Sequence, residues 1–539
     1  MTSAGGGADF LQLSPAAAPV RGLTGWLADA IRVAIMDGRL RAGTPLPATR
    51  PLAGDLGVSR GVIVEAYQRL ADEGLVSARA GAGTRVLGIS RPEPGLRPAE
   101  TAALPAKMTA LAAEAQARPA EAQAGPAEAR ARPAEARARP AEARARPAEA
   151  RARPAEARAR PAERPDPVLL PQRWRVRAEF DLSPGLPDLS GVPRAAGLRA
   201  ERLVLEPASV ADLGYGDPRG SQWLRTELAG WLARTRGLRA DPGDIIVVTG
   251  VAQALALLAQ VLRSRAVSEI AVEDPGSGGA RDELAYWGLR PVPVPVDEHG
   301  LRVDDLARGE ARAALLTPAH QFPTGVVLAP QRRRALLDWA AAAGALVIED
   351  DYDAEYRYDR APVPALRASA PGLVAYAGST SKTLAPGMRL GWLVPPRPLR
   401  ADLVEAKHAS DLGSPALPQL VLARLIASGE LEQHIRLVRK RQRSRRDALL
   451  RALRGYLPEG RVQGVAAGLH LLVTFPGRPG PDTDLAEAIL RAGVLVHPLS
   501  WHRQRPGVPG ILLGYAVHPP DQLHEAARRI AQAVRGTRA

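Results

Sequence analysis

The sequence predicts an α/β protein: an N-terminal winged helix-turn-helix, a long linker, and a large domain with a mostly parallel sheet and a smaller α+β subdomain. Three observations support this. Residues 20–88 show apolar residues at helical spacing, followed by a short hairpin pattern. Residues 118–160 repeat a proline-containing heptad. From residue 169 onward, strand-like apolar runs alternate with helical ones.

Residues 20–88 are expected to fold as three helices and a hairpin. The helical stretches are "LTGWLADAIRVAIMDGRL", "PATRPLAGDL" and "GVSRGVIVEAYQRLADEGLV", and "SARAGAGTRV" reads as strand, glycine turn and strand. Ser59 is a plausible N-cap of the third helix, and Thr49 is expected to cap the second because Ala48 cannot. Residues 21–90 carry nine Arg and six acidic residues. A small helical interaction domain is the alternative.

Residues 89–168 are expected to form a linker. "RPAEARA" begins at 132, 139, 146 and 153. The heptad has no apolar seam, and its proline would interrupt any continuous helix. A solvated, semi-rigid spacer fits this composition, so the regions on either side are predicted to be separate domains.

The third region, 169–539, is predicted to contain a large part at about 210–395 and a C-terminal subdomain at about 396–539. Runs such as "DIIVVTG", "EIAVED" and "ALVIEDD" alternate with helical stretches up to about 395. Long amphipathic helices around a few strands follow. This order is typical of a parallel sheet with crossover helices.

The composition limits the kind of protein. The net charge of +15 suits a polyanionic partner, and the absence of cysteine excludes disulfides and thiolate metal sites. The N-terminus does not resemble a signal peptide, and no apolar run is long enough to cross a bilayer. We therefore expect a soluble, cytoplasmic protein.

Lys382 is an unusual residue in this chain, because only four of its 72 basic residues are lysines. Unlike a guanidinium, an amine can lose its proton and bond covalently to an aldehyde. Ser379, Ser381 and Arg389 lie near it in "GSTSKTLAPGMRLGW" and are good phosphate ligands. The pattern indicates a lysine that holds a phosphorylated aldehyde.

Other strand ends supply what pyridoxal phosphate needs. Asp350, in "VIEDDYDAEY", is placed to pair with a protonated ring nitrogen, and Tyr352 is on the same side of its strand. Gly250 opens a helix whose N–H groups suit a phosphate. His320 follows another strand, where a buried core histidine is the alternative. A carboxylate metal cluster in "DDYD" is a further alternative, although we predict no metal site.

Several motifs resemble known families. "LPATRPLAGDLGVSR" with "GAGT" resembles the GntR-type winged helix. "YGDPRG", "EDPG", "HQFPTG", "EDDYDAEYRY" and "SKTLAPGMRLGW" occur in the order found in fold-type I, class I/II aminotransferases. The two modules together resemble the MocR/GabR group of transcriptional regulators. The resemblance covers about 20–88 and 169–539.

The resemblance implies roles for individual residues. Lys382 would bind pyridoxal 5'-phosphate covalently, Asp350 would meet the ring nitrogen and Tyr352 the ring hydroxyl. The phosphate would lie among Ser379, Arg389 and the N–H groups of Ala252 and Gln253. Tyr215 would reach the phosphate of a neighbouring subunit, which implies a homodimer. In the N-terminal domain, the residues that would contact an operator in double-stranded DNA are Arg50, Ser59, Arg60 and the wing from Gly81 to Thr84.

The sequence departs from the family pattern at several positions. Ser277 stands where an aromatic ring usually stacks on the cofactor, and Val62 replaces a usual threonine. No arginine lies between Arg505 and Arg528, where one would bind a substrate carboxylate. The winged helix and the missing arginine favour a transcriptional regulator that senses pyridoxal phosphate or its amino-compound adducts. A working aminotransferase with a fused DNA-binding domain is the alternative.

Overall fold

The computed structural model describes residues 22–36, 39–79, 83–87, 178–359 and 363–537. The predicted linker at 89–168 and Gly81 of the predicted wing lie outside these residues. None of the helices in the described ranges is both long and apolar enough to cross a membrane.

The N-terminal region folds as a winged helix-turn-helix, as predicted. Its elements are α1 (Leu23–Met36), α2 (Thr49–Asp55), α3 (Arg60–Asp72), β1 (Val76–Arg79) and β2 (Gly83–Val86). The two strands pair antiparallel. Apolar side chains at helical spacing form one buried core that includes Ile31, Leu52 and Ile63. Their burial drives the packing of the three short helices.

One expected helix cap is wrong. α2 begins at Thr49 itself, Ala48 is the N-cap residue, and no side chain caps this helix. The Thr49 hydroxyl instead accepts a hydrogen bond from Arg60 Nε at 3.3 Å, which ties α2 to the start of α3. Ser59 does occupy the N-cap position of α3, but its hydroxyl makes no capping bond.

An eight-stranded sheet forms the centre of the large domain. Its strands are β4 (Ile246–Val248), β5 (Glu269–Asp274), β6 (Arg290–Asp297), β7 (Gly300–Leu301), β8 (Ala313–Leu316), β9 (Leu346–Asp351), β10 (Val374–Ser379) and β11 (Gly391–Val394), in the order β4-β11-β10-β9-β8-β5-β6-β7. The five strands from β10 to β6 are parallel. β11 is antiparallel to both neighbours, so β4 runs in the same direction as β10.

Helices cover both faces of this sheet, which explains why most of its strand residues are apolar. They are α4 (Arg194–Leu205), α5 (Gln222–Arg236), α6 (Val251–Ser264), α7 (Gly278–Tyr286), α8 (Val303–Ala307), α9 (Pro330–Ala343) and α10 (Leu366–Ser369). A short strand, β3 (Phe180–Asp181), precedes them.

The C-terminal subdomain packs helices on a four-stranded antiparallel sheet. The remaining helices are α11 (Arg397–Asp411), α12 (Ala416–Ala427), α13 (Glu430–Tyr456), α14 (Asp482–Arg491) and α15 (Pro520–Gly536). α13, α14 and α15 pack on this sheet, whereas α11 and α12 pack against the large domain. The strands are β12 (Arg461–Gln463), β13 (His470–Thr474), β14 (Val494–Leu495), β15 (His497–Pro498) and β16 (Gly510–Gly514); all but β14 form the sheet β12-β13-β16-β15. β14 pairs with β3 and so ties the segment before the large domain to this subdomain.

Candidate functional site

The predicted cofactor residues gather at one edge of the large sheet. β4, β8, β9 and β10 run in the same direction, so their carboxyl ends share this edge. Gln253, His320, Tyr352 and Lys382 lie just beyond those four strand ends. Ligands of open α/β sheets bind at this kind of edge.

The Lys382 amine is held in a partly buried position. Its Nζ donates a hydrogen bond to the carbonyl oxygen of Gly185 at 2.6 Å. The Tyr356 hydroxyl donates to the Lys382 carbonyl oxygen, also at 2.6 Å, and so fixes the backbone. Burial lowers the pKa of the Lys382 amine, and the carboxylates of Asp353 and Asp350 oppose this shift. The environment therefore eases loss of the proton that a nucleophilic amine must lose.

Asp350 and Asp351 face opposite sides of β9, as strand alternation requires. Asp351 Oδ2 accepts hydrogen bonds from Arg236 Nε and from the Tyr376 hydroxyl, both at 2.6 Å. Asp350 Oδ1 is buried and has no hydrogen-bond partner among the described residues. Burial raises the pKa of Asp350 to about 7, and Asp351 and Asp353 act in the same direction. A cationic N–H donor, such as a protonated pyridine nitrogen, would satisfy this carboxylate.

Tyr352 lies in a hydrogen-bonded cluster with His320 and Asp353. His320 Nδ1 is 3.1 Å from the Tyr352 hydroxyl and 2.9 Å from Asp353 Oδ2. His320 is therefore both buried and adjacent to Tyr352. Because Asp350, Asp351 and Asp353 have separate surroundings, "DDYD" does not form the carboxylate cluster that the metal alternative required.

His470 extends this cluster. One ligand atom from each of His320, Asp353 and His470 falls within 4.8 Å of the others. His470 Nε2 is nevertheless used, since it lies 3.1 Å from the Pro323 carbonyl oxygen. A Cβ at Gly468 would come within 2.0 Å of His320 Cε1, so the cluster is closely packed. We interpret it as a hydrogen-bonded support for Tyr352.

The start of α6 forms a cup suited to a phosphate. Gly250 has φ 106°, and a Cβ there would lie 3.2 Å from the Arg389 guanidinium nitrogens. The Arg389 guanidinium makes no hydrogen bond or ion pair with the described residues. The N–H groups of Ala252 and Gln253, in the first turn, have no partner within the helix. Ser379 ends the adjacent strand β10, and its hydroxyl accepts from the Ser381 N–H at 3.1 Å.

Ser277, which stands where the family usually has an aromatic ring, caps the start of a helix. It is the N-cap residue of α7, and its hydroxyl accepts from the Ala280 N–H at 3.3 Å. Ser277, Thr317, Glu273 and Asp350 line one small cavity. Glu273 accepts hydrogen bonds from the Thr317 N–H and hydroxyl, and burial raises the pKa of Glu273 to about 7.

Tyr215 lies away from these contacts. Its side chain is 92% exposed, in the segment between α4 and α5. It lines an open cavity with Ser414 and Asp411. Asp411 accepts a hydrogen bond from Gln253 Nε2 at 2.6 Å, so this cavity adjoins the start of α6. A ring so exposed is available to a second subunit.

The predicted DNA contacts lie on the surface of the winged helix-turn-helix. Arg50, Ser59 and Arg60 are exposed, and the Arg60–Thr49 bond brings α2 and α3 together at this point. Thr84 is half-buried in β2 opposite Ala78.

Sequence reasoning missed four residues at or behind the sheet edge: Gly185, Arg236, Glu273 and Asp353. Asp353 and Glu273 stand within quoted motifs, so their position beside strand ends was a usable signal. Arg236 and its partner Asp351 are 115 positions apart, and nothing local in the sequence links them. The same holds for Gly185 and Lys382, which are 197 positions apart.

Comparison with known families agrees with this architecture. Residues 186–530 match the family "Aminotransferase class I and II", and residues 23–86 match "Bacterial regulatory proteins, gntR family". The kynurenine aminotransferase structure of Pyrococcus horikoshii has a similar fold, with a TM-score of 0.63 and 27% identity over 68% of this chain and 93% of that one.

Two curated relatives match along almost the whole chain. The pyridoxine biosynthesis transcriptional regulator PdxR of Corynebacterium glutamicum is 30% identical, covering 94% of this chain and 95% of its own. The probable rhizopine catabolism regulatory protein MocR of Rhizobium meliloti is 29% identical, with 94% and 92% coverage. The chain therefore belongs to the MocR/GabR-type, GntR-family transcriptional regulators, and its large domain belongs to aminotransferase class I and II.

Proposed function

We propose that this regulator binds pyridoxal 5'-phosphate at the sheet edge and that cofactor or amino-compound binding there changes its affinity for a DNA operator. The observation that carries the proposal is the half-buried Asp350 carboxylate, whose buried Oδ1 has no partner among the described residues, beside the partly buried Lys382 amine. Each group alone is costly to bury, and one cofactor would satisfy both.

The residues present fit this cofactor. Asp350 would accept from the ring nitrogen, and Tyr352, held by His320 and Asp353, would contact the ring hydroxyl. Arg389, Ser379 and the first N–H groups of α6 would hold the phosphate. When bound, pyridoxal phosphate supplies an aldehyde that combines with amines and a ring that withdraws electrons.

Lys382 would provide the covalent attachment, because its depressed pKa favours the neutral amine. An amino compound that competes for the aldehyde would free this amine. The Gly185 carbonyl oxygen accepts a hydrogen bond from Lys382 Nζ and would stabilise the freed amine in this position. The segment around Gly185 is thus placed to respond to what occupies the site.

The chain favours sensing over turnover. An aminotransferase must fix its substrate carboxylate, and the sequence has no arginine between Arg505 and Arg528. We therefore expect transamination to be slow with ordinary amino acids.

DNA would be read by α3, whose first turn carries Arg60. Arg50, Ser59 and the hairpin with Thr84 would contact flanking positions. The exposed Tyr215 ring would complete the phosphate cup of a second subunit, which makes a homodimer the expected assembly.

Footprinting on DNA upstream of the protein's own gene tests the proposal. The wild type should protect a defined site, and added pyridoxal phosphate should change the extent or position of protection. Lys382→Ala should still protect the site but lose the response to cofactor. Protection identical with and without cofactor in the wild type would contradict the sensing part of the proposal.

A further inference from the structure

The long helix α13 is far more basic than the DNA-reading domain. Between residues 436 and 454 it carries nine basic residues and one acidic residue. Residues 21–90, by contrast, carry nine basic and six acidic residues over a much longer stretch. Sequence-independent affinity for DNA depends on cations that neutralise phosphates. The stretch 436–454 of α13 therefore carries a higher net positive charge than the domain that reads sequence.

The α13 cations divide into two groups. Five of them bind acceptors of the same chain. Arg439 donates to the Glu355 carbonyl oxygen at 2.7 Å, Arg441 and Arg445 pair with Asp188 at 2.7 and 2.8 Å, and Arg443 and Arg446 lie near Asp447. The other four are exposed and make no hydrogen bond or ion pair with the described residues: Arg436, Lys440, Arg451 and Arg454.

These four residues, which we call the basic stripe, lie on one face of α13. At 3.6 residues per turn their directions fall within an arc of about 60°. At 1.5 Å per residue the stripe extends about 27 Å. Phosphates of one DNA strand are spaced about 3.4 Å along the axis, so the stripe equals the length of about eight base pairs.

Solvation alone explains the unpaired cations of the basic stripe less well than it explains exposed arginines on other helices of this chain. On α4, α14 and α15, three of the exposed arginines have an acidic partner one turn away: Arg202 with Glu206, Arg491 with Glu487, and Arg528 with Glu525. Such pairs limit self-repulsion on a helix surface. The stripe residues form no such pair with the described residues, because Glu432 pairs with Arg234 and Asp447 with Arg443 and Arg446. Repulsion along one face is compensated when an anionic partner binds.

We propose that the basic stripe binds the phosphate backbone of DNA outside the sequence read by α3. This inference rests on the DNA-binding part of the proposed function. The stripe would add affinity and salt dependence without adding sequence preference, because phosphates are the same at every position.

Paired substitutions in the full-length protein test the stripe. One variant carries Arg436→Gln and Lys440→Gln, a second carries Arg451→Gln and Arg454→Gln, and the control carries Arg194→Gln and Arg263→Gln. The control residues are also exposed and without partners among the described residues, so all three variants lose the same charge. Binding is measured over several salt concentrations, on a half-site alone and on the half-site with two helical turns of flanking DNA.

On the flanked duplex, each stripe variant should flatten the slope of log K against log salt by about 1.8, which corresponds to two phosphate contacts. The control should keep the wild-type slope, and on the half-site alone all proteins should agree. The ratio of operator to scrambled affinity should stay unchanged throughout. If wild-type protein shows no operator preference, the proposed function fails, while a slope difference would still support the stripe.

Two results would overturn the inference. Stripe variants whose slopes match the control would show that the face is merely solvated. Leu437 is 70% exposed beside Arg436, so a contact between copies of the chain is the competing occupant. If the stripe variants changed the oligomeric state measured by sedimentation and kept the wild-type salt slope, the stripe would belong to a contact between copies of the chain.

Discussion

The sheet edge of the large domain and the DNA-reading face place their polar groups in opposite surroundings. At the edge, Asp351 is 5% exposed and its Oδ2 accepts two hydrogen bonds, whereas the neighbouring Asp350 accepts none from the described residues. On the reading face, Arg50 and Arg60 are exposed to water, where a missing partner costs almost nothing. In the buried region, a carboxylate that accepts no hydrogen bond and lies beside a lysine is therefore informative. In the exposed region, only the docking mode of the fold indicates which residues function.

The largest effect in this comparison is expected from breaking the buried pair. Arg236→Met leaves the Asp351 carboxylate buried without its cation and should lower the free energy of unfolding by about 3–5 kcal/mol. The exposed Arg263→Met is the control and should change it by less than about 0.5 kcal/mol. Denaturant unfolding followed by tryptophan fluorescence measures both. Equal midpoints for the two variants would show that the Arg236 pair does not stabilise the fold.

A smaller effect is expected on the reading face. Arg60→Ala should reduce the preference for operator over scrambled DNA by about 1–3 kcal/mol if its guanidinium binds a base edge at two points.

Deleting 118–160 should weaken binding to random DNA and leave the preference of a single half-site intact, because arginines that alternate with glutamate and proline present no fixed face to bases. Fluorescence anisotropy with both duplexes at several salt concentrations separates these effects. If the deletion abolished the operator preference and Arg60→Ala did not, the sequence-reading region would lie outside residues 20–88.

The remaining effect in this comparison is a pH dependence at Asp350. Its pKa rises from 3.8 to about 7 on folding, so the folded cofactor-free protein binds this proton more tightly than the unfolded chain does. Its contribution to stability is therefore largest below pH 4 and is lost as pH rises through 7. Asp350→Asn removes it, while Glu273, Glu349 and Glu355, whose pKa values are also raised, remain in both proteins.

The measurement is the wild-type melting temperature minus that of Asp350→Asn, across pH. The difference should become more negative from pH 4 to pH 7. Added pyridoxal phosphate should reduce this trend in the wild type, because a ring N–H favours the charged carboxylate. A melting-temperature difference that stays constant across pH would show that folding does not raise the pKa of Asp350 in the cofactor-free protein.

The sequence predicted the fold and named residues that gather at one sheet edge, but it did not predict the contacts that support them. Alternation along "VIEDDYDAEY" was enough to separate Asp350 from Asp351, because strand geometry is local. The Thr49 cap was wrong because its hydroxyl accepts from Arg60, a partner eleven positions away. Arg236 and Gly185 could not be predicted, since their roles depend on segments that meet only in the folded domain.

The basic stripe illustrates the same limit. The abundance of arginine in 430–456 is visible in the sequence, but the separation of paired from unpaired cations depends on Asp188 and Asp447 and on burial. The Arg389 guanidinium beside Gly250 is a similar case, because two loops 139 positions apart form one cup.

The central claim is that Lys382 and Asp350 form one cofactor site. It is tested most directly by adding pyridoxal phosphate to purified protein, recording the visible absorbance, reducing with borohydride and mapping the modified peptide. The chain offers internal controls in Lys407, which is fully buried and paired with Asp411 at 2.8 Å, and in the exposed Lys440. We predict a visible absorbance band, modification confined to Lys382, and weaker cofactor binding in Asp350→Ala than in Asp351→Ala. Modification spread over Lys382 and Lys440, or wild-type affinity in Asp350→Ala, would contradict the account.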